Sequence, residues 1–120
     1  MIAVKNLTKK FDQFTAVDDL SFTVQEGEVL GFLGPNGAGK STTMKVITGF
    51  LAPSAGTVTI DDHDISHEAI AAKALIGYLP EGAPSYGDMT TQEFLRFIAS
   101  VRGFSGDALN QRVDRVIKEV

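Results

Sequence analysis

The sequence predicts an α/β fold, a parallel sheet covered by helices. Two adjacent segments carry that reading. VLGFL at 29–33 is continuously apolar, the pattern of a strand buried on both faces. GPNGAGKST at 34–42 follows directly, and from Lys40 the apolar positions Met44, Ile47 and Leu51 recur at helical spacing, with Val46 and Phe50 beside them. Strand, glycine-rich turn and helix succeed one another without a break.

The flanking elements fall into place around this unit. IAVKNLTKKF sets Ile2, Val4 and Leu7 against polar neighbours, and LSFTV alternates Leu20, Phe22 and Val24, so the N-terminal part reads as strands. DQFTAVDD between them reads as a hairpin connection or crossing loop. After the helix, Gly49 and APSAG form a stop, TVTI (57–60) a further strand, SHEAIAAKAL (66–75) a short helix and IGYL (76–79) a second buried strand. PEGAPSYGD is a loop. Thr90 and Glu93 then have the spacing of a capping box, ahead of the stripe Phe94, Phe97, Ile98, Val101 and the stop at Gly103. A last helix starts near Asp107. Its stripe runs into Val120 with no cap, Pro or polar tail, which predicts that the helix belongs to a longer chain.

Composition narrows the function classes. A net charge of −4 argues against non-specific nucleic-acid binding, and Lys9-Lys10, the one adjacent basic pair, reads as solvated surface. With no cysteine there is no thiolate metal site or disulfide framework. The N-terminus lacks the apolar core of a signal peptide and no apolar run is long enough to span a bilayer, so the expected compartment is the cytoplasm. DDHDISHE places His63 and His67 four apart among Asp61, Asp62, Asp64 and Glu68. It reads as a strand-ending turn and helix cap rather than a metal site, because Asp tolerates left-handed backbone.

The chemistry concentrates in GPNGAGKS, which matches G-x-x-x-x-G-K-[ST] at Gly34, Gly39, Lys40 and Ser41 between a strand and a helix. Consecutive backbone N–H groups curled around a polyanion, with the positive end of a helix behind them, hold phosphates. Gly34, Gly37 and Gly39 allow the conformations and close approach this needs, and Pro35, Asn36 and Ala38 complete the loop. Lys40, the candidate catalytic residue, would reach the β- and γ-phosphates. The Ser41 hydroxyl would ligate Mg²⁺, and Thr42 would add a donor near the α-phosphate.

LGPNGAGKSTTMKVITGFLAPSAGTVTIDD, LTKKFDQFTAVDDLSFTVQEGE and IGYLPEGAPSYGDMTTQEFL together resemble the N-terminal half of an ABC-type ATP-binding domain. Within that family the chain is similar to ATPase subunits of bacterial drug, sodium or gliding-motility exporters. The resemblance implies a phosphate-loop NTPase fold, present in part. Residues 1–84 would hold an antiparallel β subdomain plus the first part of the ATP-binding core, and residues 85–120 the start of a helical subdomain. It implies that Phe11 stacks on adenine, where the family more often has Tyr, with Val17 against the base or ribose. A core aromatic at a strand end is the alternative for Phe11. Glu81 stands where the family usually carries a Gln near Mg²⁺ and the attacking water. It is either a variant metal neighbour or an exposed loop acid.

The resemblance also implies ATP and Mg²⁺ as cofactors, a transmembrane permease subunit and a second ATP-binding subunit as partners, no nucleic acid, and a place on the inner face of the cell membrane. Hydrolysis in the family needs an apolar strand ending in Asp-Glu, a Leu-Ser-Gly-Gly-Gln signature and a switch His. None of these is found in the sequence, so these residues alone are expected to bind nucleotide without cleaving it. A soluble ATPase of the same type acting on ribosomes or DNA is the second reading.

Overall fold

The computed structural model describes residues 1–82 and 86–120. The chain forms two compact units, Met1–Tyr78 and Leu79–Val120. The expected boundary between 84 and 85 falls outside the described residues.

The first unit is built on a four-stranded antiparallel sheet in the order β2-β1-β3-β4. Its strands are β1 (Ile2–Phe11), β2 (Phe14–Val24), β3 (Ala55–Ile60) and the two-residue β4 (His63–Asp64). The β1–β2 connection is shorter than expected, because Phe11 pairs with Phe14 and the residues from Phe14 to Asp19 lie in β2. Asp12 makes the tight turn with a positive φ of 47°, a geometry Asp accepts at low cost because its short side chain bonds locally.

The pattern Val4, Leu7 breaks strict alternation, and the structure shows how both face inward. Asn6 takes a φ of 48° and Asp19, on β2, a φ of 49°, and the β1–β2 register shifts between Val4 and Leu7 and again between Leu7 and Lys9. Each extra residue turns the following side chains back toward the core. The irregularities are tied together: Asn6 Nδ2 donates to Asp19 Oδ1 at 2.8 Å, and the Asn6 N–H to Ser21 Oγ at 2.8 Å. As a result Val4, Leu7, Val17, Val58 and Ile60 share one buried cluster.

Helices α1 (Lys40–Ile47) and α2 (Ala69–Ala74) contribute Val46, Ile47 and Ala72 to that cluster. The buried face of α1 is Thr43, Val46 and Ile47, not the expected stripe through Met44 and Leu51. The helix ends at Ile47, and Gly49 turns the chain with a φ of 74°, so Phe50 and Leu51 lie beyond it. Phe50 instead meets Tyr78, ring centroids 5.8 Å apart.

DDHDISHE forms a turn and cap as expected. Asp61 and Asp62 make the β3–β4 turn, both with positive φ, and Asp64 Oδ1 accepts from the N–H groups of Ser66 and His67. His63 Nδ1 lies 3.1 Å from Glu68 Oε1. That bond, and after it the Asp64 N–H, holds the Glu68 carboxyl below its ordinary value.

The two segments expected as buried parallel strands, 29–33 and 76–79, are not strands among the described residues. Val29, Leu33 and Leu79 are 97%, 94% and 84% exposed. A parallel strand holds its place through neighbours on its edges, and the sheet that does form closes on other elements. Phe32 alone of the first segment finds a ring partner, Phe22 of β2, at 5.5 Å.

The second unit contains α3 (Thr91–Val101) and α4 (Gly106–Glu119). The expected capping box is present. The Thr90 N–H donates to Glu93 Oε2 at 2.7 Å, and the Glu93 N–H to Thr90 Oγ1 at 3.2 Å. Tyr86 packs on Phe94 and on the edge of Phe97, and Gly103, with a φ of 89°, follows the end of α3. Val113 is the buried residue of α4.

These contacts give two tests. Leu7 is fully buried, so Leu7→Ala should lower the unfolding free energy in urea by about 2–5 kcal/mol. Thr90→Ala should weaken the start of α3 by about 1 kcal/mol, read as faster amide exchange there. Bonds from the Thr90 N–H and then its hydroxyl depress the Glu93 pKa below 4.5. A carboxylate depressed in the folded state stabilises above its unfolded pKa and stops doing so as pH falls through the folded value. Protection of α3 should therefore fall on acidification below about pH 4.5 in the native chain and change less in Thr90→Ala.

Candidate functional site

The glycine-rich segment 34–39 leads into α1 within the first unit. The Ala38 N–H donates to the Pro35 carbonyl at 3.1 Å, closing a turn, and Gly37 and Gly39 have φ values of 86° and 89°. Gly39 is the N-terminal cap of α1 in left-handed geometry, and its carbonyl receives two donors from Thr43, the N–H and Oγ1, both at 2.9 Å. Because the Thr43 N–H is the first to bond within the helix, those of Lys40, Ser41 and Thr42 have no intrahelical acceptor. N–H groups left over in this way at a helix start suit an anion.

Gly39 also has a steric reason to be glycine. A Cβ there would lie 2.3 Å from the Ala16 carbonyl oxygen and 3.2 Å from Val17 Cγ2. The loop therefore rests directly on the backbone of β2. A Cβ at Gly37 would meet nothing within 4 Å, so only the positive φ restricts that residue.

Lys40 folds back over the loop. Its ammonium donates to the carbonyls of Gly34 and Pro35, the latter at 2.8 Å. Gly34, Pro35, Asn36, Gly37 and Ala38 are exposed, as is Ser41 in the first turn of α1. An exposed glycine-rich loop at a helix start, a cation anchored on it and a hydroxyl beside it are groups of the kind a Mg²⁺-nucleotide needs. Among the described residues no three His, Cys, Asp or Glu side chains cluster to hold a metal.

β1 and β2 bring Phe11 and Val17 into the same unit as the loop. Val17 is buried against Gly39 and pairs with Lys9, while Phe11, at the hairpin tip, is 42% exposed. Glu81 lies in the second unit, exposed in a turn with Gly82. Sequence reasoning missed three features of the site. Thr43 is polar yet buried, and only its spacing from Val46 and Ile47 hints at that. The Ala16 carbonyl leaves no trace in side-chain pattern. Lys9, read as solvated, stands 5.0 Å from the Phe11 ring centroid.

The ABC transporter family model matches residues 17–120. The chain belongs to the ABC transporter family. Among curated relatives it is 40% identical over 116 residues to the probable multidrug ABC transporter ATP-binding protein YbhF of Escherichia coli K12, covering 97% of this chain and 20% of that protein. It is 36% identical over 121 residues to the lipopolysaccharide export system ATP-binding protein LptB of the same strain, covering 98% of this chain and 50% of that one. A solved ATP-binding subunit of an ABC transporter superposes with a TM-score of 0.80 at 33% identity, over 87% of this chain and 43% of that one. The ABC chain thus spans a fifth to a half of these relatives, and its fold is that of part of an ABC nucleotide-binding domain. Among the described residues, no helix is long and apolar enough to cross a membrane.

Gly39→Ala should cost about 1–3 kcal/mol of stability through backbone strain, and more where β2 must move. It should also abolish nucleotide binding. Gly37→Ala should be the milder change in both assays, urea unfolding and ATP titration.

Proposed function

We propose that this chain is the ATP-binding part of an ABC exporter ATPase subunit, which couples ATP binding and hydrolysis to transport by a separate membrane protein. The observation that carries the reading is the cradle at Gly34–Thr42, with the first N–H groups of α1 unpaired within the helix and Lys40 anchored across its rim. Two relatives with export or multidrug names support the exporter assignment.

In this reading the backbone N–H groups of Gly37 and of Gly39 to Thr42 hold the phosphates, while that of Ala38 closes the turn onto Pro35. Lys40 leaves the Gly34 and Pro35 carbonyls to meet the β- and γ-phosphates, and the Ser41 hydroxyl ligates Mg²⁺. The ion supplies charge neutralisation at the phosphates. Phe11 stacks on adenine and Val17 borders the base or ribose. The family resemblance would make Glu81 a variant metal neighbour. A carboxylate there binds Mg²⁺ better than an amide but adds negative charge near the γ-phosphate.

The groups that complete hydrolysis are not encoded in these 120 residues. We infer that they come from further sequence and from a second ATP-binding subunit, and that these residues alone bind without turnover. A permease subunit at the inner face of the membrane is the coupled partner.

Titration calorimetry with ATP and Mg²⁺ tests the reading. Loss of the Lys40 contact removes hydrogen bonds to a charged group, so Lys40→Ala should weaken binding by about 10- to 100-fold. Phosphate release by the native sequence should stay at background. An unchanged affinity in Lys40→Ala would refute the phosphate-loop assignment.

A further inference from the structure

Lys9 does not behave as a solvated surface lysine. Its ammonium donates to the Ala52 carbonyl at 2.8 Å and stands over the Phe11 ring, 5.0 Å from the centroid. Lys9 and Phe11 are two apart on β1, so they lie on the same side of the strand. The Ala52 carbonyl is itself held in place. The Ser54 N–H donates to the Thr8 carbonyl at 2.8 Å, and Ser54 Oγ accepts from the Lys10 N–H at 2.9 Å. The segment after α1 is therefore fastened to β1 on both sides of Lys9. The cross-strand partner of Lys9 is Val17, the residue that meets Gly39 of the phosphate loop.

From this geometry we propose that Lys9 is a positioning residue for the nucleobase, acting through Phe11; the proposal rests on the ATP-binding reading above. A fixed cation over one face of a ring fixes that ring's orientation and draws its π density toward itself. The opposite face becomes less negative and accepts an electron-rich purine more favourably. The Ala52 bond keeps the ammonium from following solvent or the phosphates, so Lys9 serves the base and not the triphosphate.

The test separates base from phosphate. ATP and inorganic triphosphate, each with Mg²⁺, are titrated into the native protein, Lys9→Met, Lys9→Arg, Phe11→Ala and Lys9→Met/Phe11→Ala. Lys9→Met should weaken ATP binding about two- to fivefold, the span of an exposed cation–π contact. Triphosphate affinity should not change. Lys9→Arg should restore ATP affinity, and Lys9→Met should have no further effect in the Phe11→Ala background.

A parallel loss of triphosphate affinity in Lys9→Met would overturn the proposal, because Lys9 would then support the hairpin or loop as a whole. Unaltered ATP affinity in Lys9→Met, or a full effect that persists without Phe11, would also overturn it. A native-level ATP affinity in Phe11→Ala would instead remove Phe11 as the base platform, and the proposal with it. Failure of the native protein to bind either ligand would refute the underlying ATP reading.

Discussion

The site depends on the contact between a strand backbone and a residue with no side chain. The Ala16 carbonyl of β2 occupies the space a Cβ of Gly39 would take, and Gly39 caps α1 in a left-handed conformation. Sheet, loop and helix thereby meet at one α-carbon. The N–H groups that can receive phosphate are aimed by the helix, and the helix is fixed by where β2 lets Gly39 lie. The buried Thr43 hydroxyl adds to this by bonding the Gly39 carbonyl from the helix side. Thr in a helix interior has modest propensity, yet here its hydroxyl is satisfied and its burial joins α1 to the core.

That strand position is in turn a product of irregularity. Asn6 and Asp19 both take positive φ in the middle of paired strands, and their side chains bond each other. Without the extra residues, Leu7 and Val17 could not share one face with Val4. With them, the β1–β2 hairpin keeps a continuous apolar face and carries Lys9 and Phe11 to its tip. The apolar cluster and the exposed ring of Phe11 are two ends of the same hairpin.

The fold was legible in the sequence wherever a local rule decided it. GPNGAGKS announced its turn and the helix after it, Thr90 with Glu93 announced a capping box, and Asp61-Asp62 a turn that tolerates left-handed backbone. Where the deciding partner is distant, the pattern misled. VLGFL and IGYL are as apolar as buried strands, but burial of that kind requires neighbours on both edges, and the described sheet offers none. The stripe through Met44 and Leu51 assumed a longer helix, and Gly49 ends it too soon for that face to form.

By itself, then, the sequence determined the glycine-rich turn and the start of α1, because the glycines at those spacings act through their own backbone. It also determined the caps and turns, which are bonds between near neighbours. Only the tertiary structure decided what Gly39 must leave room for, which face of α1 is buried and what Lys9 touches. Each of these rests on atoms far apart in the chain: Ala16 with Gly39, Thr43 with the sheet, Lys9 with Ala52. Side-chain periodicity does not record a backbone carbonyl, and a carbonyl is the deciding partner for both Gly39 and Lys9.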